Sequence, residues 1–146
     1  MEGGDFALDL GLGAEDVAVV LGEGSPAMNF LPGRRVGDDV QVGELRIPLP
    51  AALRASSPEA ITVGVRPEHL QQGEGTGPAL RFKVDTVEAL GADSLVHGTL
   101  GSGAIIARVD GHATPEPGPQ MEFHARPGKL FFFDTASGKR LRAAAP

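Results

Sequence analysis

Short runs in which apolar and polar residues alternate fill most of the chain from residue 28 onward. Residues 80–85 (LRFKVD) and 121–126 (MEFHAR) each place an apolar side chain at every second position. This period of two is that of a β-strand with one buried face. Turn signals rich in glycine and proline separate the runs at intervals of about 8–12 residues, which is typical of an all-β sandwich or barrel. We therefore predict a mainly all-β domain.

The same signals predict individual strands and turns. Residues 30–36 and 40–47 flank a Gly-Asp-Asp turn and form a hairpin candidate. Residues 61–65 (ITVGV) predict a strand, which Pro67 ends because proline pushes the preceding Arg66 into extended geometry. Pro67 is also well suited to open a single helical turn.

Irregularities in the pattern predict further features. The alternation slips at residues 86–87, which indicates a β-bulge or a sharp bend. Tight glycine turns connect three strands between residues 80 and 109, which predicts a meander. Residues 139–142 predict a polar closing strand at a sheet edge. The short apolar run at residues 17–21 is one more strand candidate.

The three phenylalanines of residues 131–133 fit three interpretations. They can belong to the core, form a partner-binding surface, or stack on nucleic-acid bases. The chain carries a formal net charge of −6 and has no Trp or Tyr. Because this negative charge repels phosphate backbones, we expect no nucleic-acid partner. For residues 131–133, burial in the core and exposure on a partner-binding surface both remain as alternatives.

Length and composition indicate one domain. The 146 residues can bury a core without covalent staples. Cysteine is absent, which excludes disulfides and thiolate metal sites. No apolar run approaches the ~20 residues of a membrane span, and Glu2 and Asp5 stand where a signal peptide requires positive charge. We expect a chain that is neither exported nor inserted into a membrane.

The residues needed for catalysis do not come together in the sequence. The phosphate-binding motif Gly-x-x-x-x-Gly-Lys-Ser/Thr is absent, and no serine lies in a Gly-x-Ser-x-Gly elbow. The four histidines have no recognised metal-ligand spacing. We therefore predict that the chain is not an enzyme and has no catalytic residue, cofactor or metal site.

Four sequence motifs resemble one protein family. They are residues 25–31 (SPAMNFL), 63–70 (VGVRPEHL), 87–91 (VEALG) and 129–134 (KLFFFD) followed by Gly138. Their identity and order resemble the C-terminal part of ATP-binding subunits from bacterial ABC importers of the maltose and glycerol-phosphate type. In that family this part is the transport-associated (TOBE) domain.

This resemblance implies an OB-type β-barrel with additional short strands and one or two short helical turns. We assign residues 25–146 to this barrel and leave residues 1–24 unassigned, because they match nothing in the family. In relatives the domain pairs with its copy in the ATPase dimer and can receive regulatory proteins. The resemblance thus implies a non-catalytic regulatory and dimerisation domain that lacks the ATP-hydrolysing domain. It would form a homodimer and work with ATPase and permease subunits, in the cytoplasm at the inner face of the cell membrane.

A second hypothesis assigns a small ligand to the turn after residue 65. Arg66, Glu68 and His69 lie beside a turn whose backbone N–H groups could hold an anion, and related domains of oxyanion importers bind small anions. The chain would then be a sensor for an oxyanion or a sugar. The alternative without a ligand is that Arg66 pairs with Glu68 or with another surface acid.

Overall fold

Ten strands and three short 3₁₀ turns make up the part of the chain that the computed structural model describes, which is residues 28–55, 57–73, 75–113, 116–118 and 120–142. The strands are β1 Asn29–Val36, β2 Asp39–Val42, β3 Leu45–Pro48, β4 Ala60–Val65, β5 Leu70–Gln72, β6 Ala79–Ala89, β7 Asp93–Leu100, β8 Gly103–Asp110, β9 Gln120–Ala125 and β10 Leu130–Asp134. The 3₁₀ turns are Ala51–Leu53, Pro67–His69 and Gly111–Ala113. The predicted all-β fold is confirmed. The described residues form three short helical turns, where one or two were predicted.

The strands form two antiparallel five-stranded sheets. The first sheet has the order β10-β4-β1-β2-β3, and the second has the order β5-β9-β6-β7-β8. The two edge strands of the second sheet, β5 and β8, also contact each other. This sheet therefore curls until its edges meet, as the predicted OB-type barrel requires. Strand β8 further contacts β1 of the first sheet.

One large core fills the space between the sheets. Strand alternation sends every second side chain inward, so Leu80, Phe82 and Val84 of β6 are buried while the residues between them are exposed. The rings of Phe82 and Phe123 stack with their centroids 4.7 Å apart. Burial of such apolar area, at about 25 cal/mol per Å², is the main force that holds the two sheets together.

Asn29, the first residue of β1, joins the two sheets through hydrogen bonds. Its side chain is buried, and its Oδ1 accepts from the Ile106 N–H at 2.8 Å. Its Nδ2 donates to the Ile106 carbonyl, also at 2.8 Å. Ile106 lies in β8, an edge strand whose hydrogen-bonded neighbour in the sheet is β7. The amide of Asn29 therefore satisfies two backbone groups that a further strand would otherwise pair.

The predicted hairpin, bulge and meander are confirmed. Strands β1 and β2 form the hairpin around Gly37, which adopts a φ of 62°. The second hairpin strand is shorter than predicted, because the chain turns at Gly43, with a φ of 60°, and returns as β3. The register between β6 and β7 shifts between Val84 and Thr86. Strands β6, β7 and β8 are neighbours in the sheet, as a meander requires.

The predicted closing strand at residues 139–142 is not formed. Among the described residues, this segment makes an isolated bridge between Phe133 and Arg140. A tight turn, in which the Gly138 N–H donates to the Asp134 carbonyl at 2.6 Å, brings only a short stretch beside β10. The strand predicted at residues 17–21 lies outside the described residues.

The phenylalanines of β10 take different positions. Phe132 faces the core between the sheets, and Phe133 is fully buried in a small cluster on the outer face of the first sheet. The core interpretation is therefore confirmed for these two residues. Phe131 lies on the same outer face as Phe133 and is half-buried, as is Phe30 of β1. Phe30 and Phe131 together are called the aromatic patch below.

Candidate functional site

The predicted Arg-Pro-Glu-His turn forms the passage from the first sheet to the second. Arg66 follows β4 and is extended, with φ −77° and ψ 144°, as expected before a proline. Pro67 begins the 3₁₀ turn Pro67–His69, in which the His69 N–H donates to the Arg66 carbonyl at 3.0 Å. Strand β5 starts at the next residue. The single helical turn predicted here is confirmed.

The loop between β9 and β10 packs against this turn. The Arg126 N–H donates to the His69 carbonyl at 2.9 Å, and the Lys129 N–H donates to the Arg126 carbonyl at 3.0 Å. These bonds bring the charges of Arg126 and Lys129 close to that of Arg66. Among the residues described, neither Arg126 nor Lys129 forms an ion pair with a carboxylate. The turn carries the Glu68 carboxylate and is flanked by the positive charges of Arg66, Arg126 and Lys129.

The surroundings of His69 disfavour its charged form. Burial lowers the pKa of His69, because it penalises the charged imidazolium. The Glu68 carboxylate opposes this change, and the positive charges of Lys129, Arg66 and Arg126 reinforce it. Since the ordinary pKa of histidine is about 6.5, a lowered pKa makes the neutral imidazole the major form at pH 7.

Three buried polar atoms in this segment have no hydrogen-bond partner. They are Glu68 Oε1, His69 Nδ1 and Gln72 Oε1, and no other side-chain atom of the described residues shares this property. Buried polar groups in native proteins are nearly always paired with protein groups, ordered water or a bound molecule. Their concentration within residues 68–72 therefore marks this segment as a candidate binding site.

A cleft of about 240 Å³ opens where the edge strands β5 and β8 meet. Its lining residues are Glu68, Leu70, Gln71, Gln72, Arg108, Val109, Asp110 and Arg126. Of the three predicted site residues, Glu68 lines this cleft. Arg66 and His69 belong to the same turn but not to the lining. The structure thus keeps the predicted residues together on one turn and brings only one of them to the cleft.

Contacts with neighbouring residues fix two of the cleft side chains. Asp93 Oδ2 accepts from Arg108 Nε at 2.9 Å and lies 2.8 Å from Arg108 Nη2. Asp110 Oδ1 accepts from the His112 N–H at 2.8 Å. These bonds orient Arg108 and Asp110 along the end of β8, so the cleft has a preformed wall on this side.

Sequence reasoning missed Gln72, Arg108 and Arg126. These residues come from three separate strand ends, and only the curl of the second sheet brings them together. One signal could have found Arg126, because it precedes Pro127 as Arg66 precedes Pro67. A repeated Arg-Pro pair after two strands indicates two similar turns that could face each other.

The lining of the cleft is mainly polar and charged. None of its residues is a serine, threonine or cysteine that could act as a nucleophile. In the described part of the chain, no group of three His, Cys, Asp or Glu side chains is placed to hold a metal ion. No described helix is long and apolar enough to cross a membrane. The arrangement suits a small polar molecule.

Two domain-family models match the sequence. The MalK OB fold domain matches residues 24–70, and the TOBE domain matches residues 63–133. The two matches overlap at residues 63–70, which contain the Arg-Pro-Glu-His turn. Together they extend from the segment before β1 into β10.

The relatives of this chain include ATP-binding proteins of solute importers. The sn-glycerol-3-phosphate import ATP-binding protein UgpC of Chromobacterium violaceum is 35% identical over 125 residues, which cover 84% of this chain and 34% of the relative. UgpC of Yersinia pestis is 38% identical over 122 residues, covering 81% and 34%, and UgpC of Escherichia coli is 35% identical over 124 residues, covering 81% and 34%. The chain thus spans about a third of the length of these relatives and corresponds to their C-terminal region.

A solved structure shares the fold. The molybdate-bound crystal structure of the cytoplasmic molybdate-binding protein ModG matches with a TM-score of 0.56 at 17% sequence identity, over 72% of this chain and 94% of that one. At this identity the similarity concerns the fold alone. The domain matches, the relatives and the two-sheet fold agree with the four sequence motifs, and the chain belongs to the family of OB-fold and TOBE domains found in the ATP-binding subunits of sugar-type importers.

Proposed function

We propose that this chain is the non-catalytic regulatory and dimerisation domain of an ABC importer ATP-binding subunit. The importer would carry a sugar or a related solute, such as the glycerol phosphate named for the relatives. The domain acts on the cytoplasmic side of the membrane, beside ATPase and permease subunits, and offers a surface to a regulatory protein. It contributes no ATP-hydrolysing residue.

The adjoining OB-fold and TOBE matches carry this proposal. The two matches together cover nearly all described strands of the domain. Residues 24–70 include β1 to β4, and residues 63–133 include β5 to β9 and most of β10. Both sheets contribute to one core. The relatives that share this region are named import ATP-binding proteins.

The aromatic patch is the surface that we assign to pairing of two copies. The rings of Phe30 and Phe133 meet edge to face with centroids 5.7 Å apart. The guanidinium of Arg140 lies 4.4 Å from the centroid of the Phe131 ring. Aromatic and arginine side chains are enriched where proteins meet. A two-fold interface would place the same patch of both copies face to face.

Sedimentation equilibrium over a wide range of concentration tests this assignment. We expect the wild-type chain to associate into dimers, and Phe131→Arg to weaken the association at least about tenfold because it sets like charges against Arg140. The matched control is Ala104→Arg, which adds the same charge at an exposed position of β8. A strictly monomeric wild-type chain without affinity for an ATP-binding subunit would refute the dimerisation proposal.

A second candidate function is the binding of a small ligand, an oxyanion or a sugar, beside Arg66, Glu68 and His69. The observation that favours it is the set of buried atoms without partners in residues 68–72, next to the cleft. The positive charge around the turn, to which Arg126 and Lys129 contribute, supports the oxyanion. The acceptor groups of Glu68 and Gln72 support the sugar.

Isothermal calorimetry with phosphate, sulfate, molybdate and simple sugars tests this second function. Molybdate is included because ModG, which shares the fold, is titled a molybdate-binding protein. We expect a saturable heat with at least one of these compounds. The absence of heat with all of them would remove the second function and leave the first in place.

A further inference from the structure

The cleft between β5 and β8 combines hydrogen-bond donors and acceptors in balance. Arg108 and Arg126 supply N–H donors and positive charge, and Glu68 and Asp110 supply carboxylate acceptors and negative charge. The two charges of each sign cancel, so the lining attracts neither an anion nor a cation strongly. The turn beside it shares Glu68 and Arg126 and has Arg66 and Lys129 in addition.

The unpartnered atoms of the two lining residues are acceptors. Glu68 Oε1 and Gln72 Oε1 are buried without a donor, and both residues line the cleft. A buried acceptor without a donor is unfavourable. An oxyanion such as sulfate offers only acceptors and is repelled by the Glu68 carboxylate. A hydroxyl group donates and accepts at once, so it can serve both acceptors and both arginines.

We propose that this cleft binds a small neutral molecule with several hydroxyl groups, a sugar or a polyol. The inference rests on the second proposed function and selects the hydroxylated ligand over the oxyanion. Hydroxyl groups donate to Glu68 and Gln72 and accept from Arg108 and Arg126. Arg108 is already held by Asp93 through Nε and Nη2, and its guanidinium has further N–H groups for a ligand.

The size of the cleft limits the ligand. A volume of about 240 Å³ corresponds to about eight water molecules at ~30 Å³ each. It is smaller than the ~300–1,000 Å³ typical of sites for drug-sized ligands. A monosaccharide or a short polyol fits this space, and any further sugar unit would extend from the open cleft into solvent.

NMR titration of the ¹⁵N-labelled chain tests the proposal, with D-glucose and glycerol as hydroxylated probes and sulfate and phosphate as oxyanion probes at constant ionic strength. We expect saturable shifts at the amides of Gln72 and Arg108 with a hydroxylated probe and none with sulfate. Glu68→Gln and Gln72→Leu should each weaken binding about five- to tenfold. The matched control is Gln41→Leu on β2, and thermal unfolding checks that every variant folds.

The possible results separate the proposals. Saturable binding of glucose or glycerol that both cleft variants weaken supports the inference, and the tighter of the two probes distinguishes sugar from polyol. Binding of an oxyanion without either hydroxylated probe overturns the inference but supports the second proposed function. If none of the four probes binds, both the inference and the second proposed function are overturned. Unchanged affinity in both variants places the ligand elsewhere and also overturns the inference.

Discussion

Loss of the side-chain amide of Asn29 should loosen the contact between the two sheets at β8. The Asn29→Ala substitution removes two hydrogen bonds of 2.8 Å to the backbone of Ile106. Each such bond contributes about 0.5–1.5 kcal/mol net, and a buried backbone group left unpaired costs about 1–3 kcal/mol. Because Ile106 is only half-buried, water replaces part of the loss. We expect the free energy of unfolding to fall by about 2–4 kcal/mol.

Thermal unfolding and NMR measure this loss directly. For a domain of this size, a loss of 1 kcal/mol lowers Tm by about 4 °C, so the expected decrease is about 8–16 °C. Asn29 is the only asparagine of the chain, so labelling of asparagine alone gives the signal of one side-chain NH₂ group. We expect that signal to exchange slowly with solvent in the wild type. We also expect the Ile106 amide to lose protection in Asn29→Ala.

The Asn29→Asp substitution adds a pH signature. The introduced carboxyl group keeps an acceptor for the Ile106 N–H but turns its second oxygen toward the Ile106 carbonyl. Burial and this repulsion raise its folded pKa above the unfolded value of about 3.9. When the folded pKa is raised, the stability of the variant is greatest below the unfolded pKa. This stability is lost as the pH rises through the folded pKa. The variant should therefore be destabilised more at neutral pH than in acid, relative to the wild type.

Thr99→Ala is the control for Asn29→Ala, because it removes an exposed hydrogen bond of 3.1 Å to Asp85. We expect this control to cost less than about 1 kcal/mol. The reasoning is refuted if Asn29→Ala costs no more than the control and leaves exchange at Ile106 unchanged.

Packing at Gly64 and the ion pair of Glu122 give further tests. A Cβ at Gly64 would lie 2.7 Å from Met28 Sδ and 2.9 Å from Phe133 Cε1, so Gly64→Ala should cost about 1–3 kcal/mol in urea unfolding; an unchanged midpoint would contradict this. Phe133→Ala empties a fully buried site and should cost about 3–5 kcal/mol by the same measurement, and a cost near that of an exposed residue would show that the ring is not packed. A side-chain hydrogen bond from Arg81 lowers the pKa of Glu122, so its stability contribution is present above the unfolded pKa of about 4.3 and is lost as the pH falls through the folded pKa. The Tm difference between wild type and Arg81→Gln should therefore shrink in acid, and a difference independent of pH would exclude this cause.

Features that depend on near neighbours in the sequence were predictable. The alternation of residues 80–85 predicted β6 and its buried face, because a strand in a two-sheet fold must send every second side chain inward. The slip after that run predicted the register shift between Val84 and Thr86. Pro67 predicted both the end of β4 and the turn after it, since the proline ring fixes the local backbone.

Features that depend on distant contacts were not predictable. Asn29 and Ile106 are 77 positions apart, and no local pattern shows that the asparagine side chain replaces a strand. Arg108 and Arg126 reach the cleft only because the edges of the second sheet meet. The polar segment 139–142 resembles an edge strand in composition, but the preceding turn brings only a short part of it beside β10. Composition does not report which sheet edge is available.

Strand β8 connects the cleft to the proposed pairing surface. Ile106 bonds to Asn29, and Arg108, two residues farther along the same strand, lines the cleft. Asn29 in turn precedes Phe30, which belongs to the aromatic patch. A ligand held between β5 and Arg108 would restrain the strand that Asn29 holds, so it should slow exchange of the Ile106 amide. By reciprocity, Asn29→Ala should weaken the binding of the ligand to the cleft. Equal affinity in this variant and the wild type would show that the Asn29–Ile106 hydrogen bonds and the cleft are independent. A signal from the cleft to the aromatic patch would then have to pass through the Pro67–His69 turn and β4.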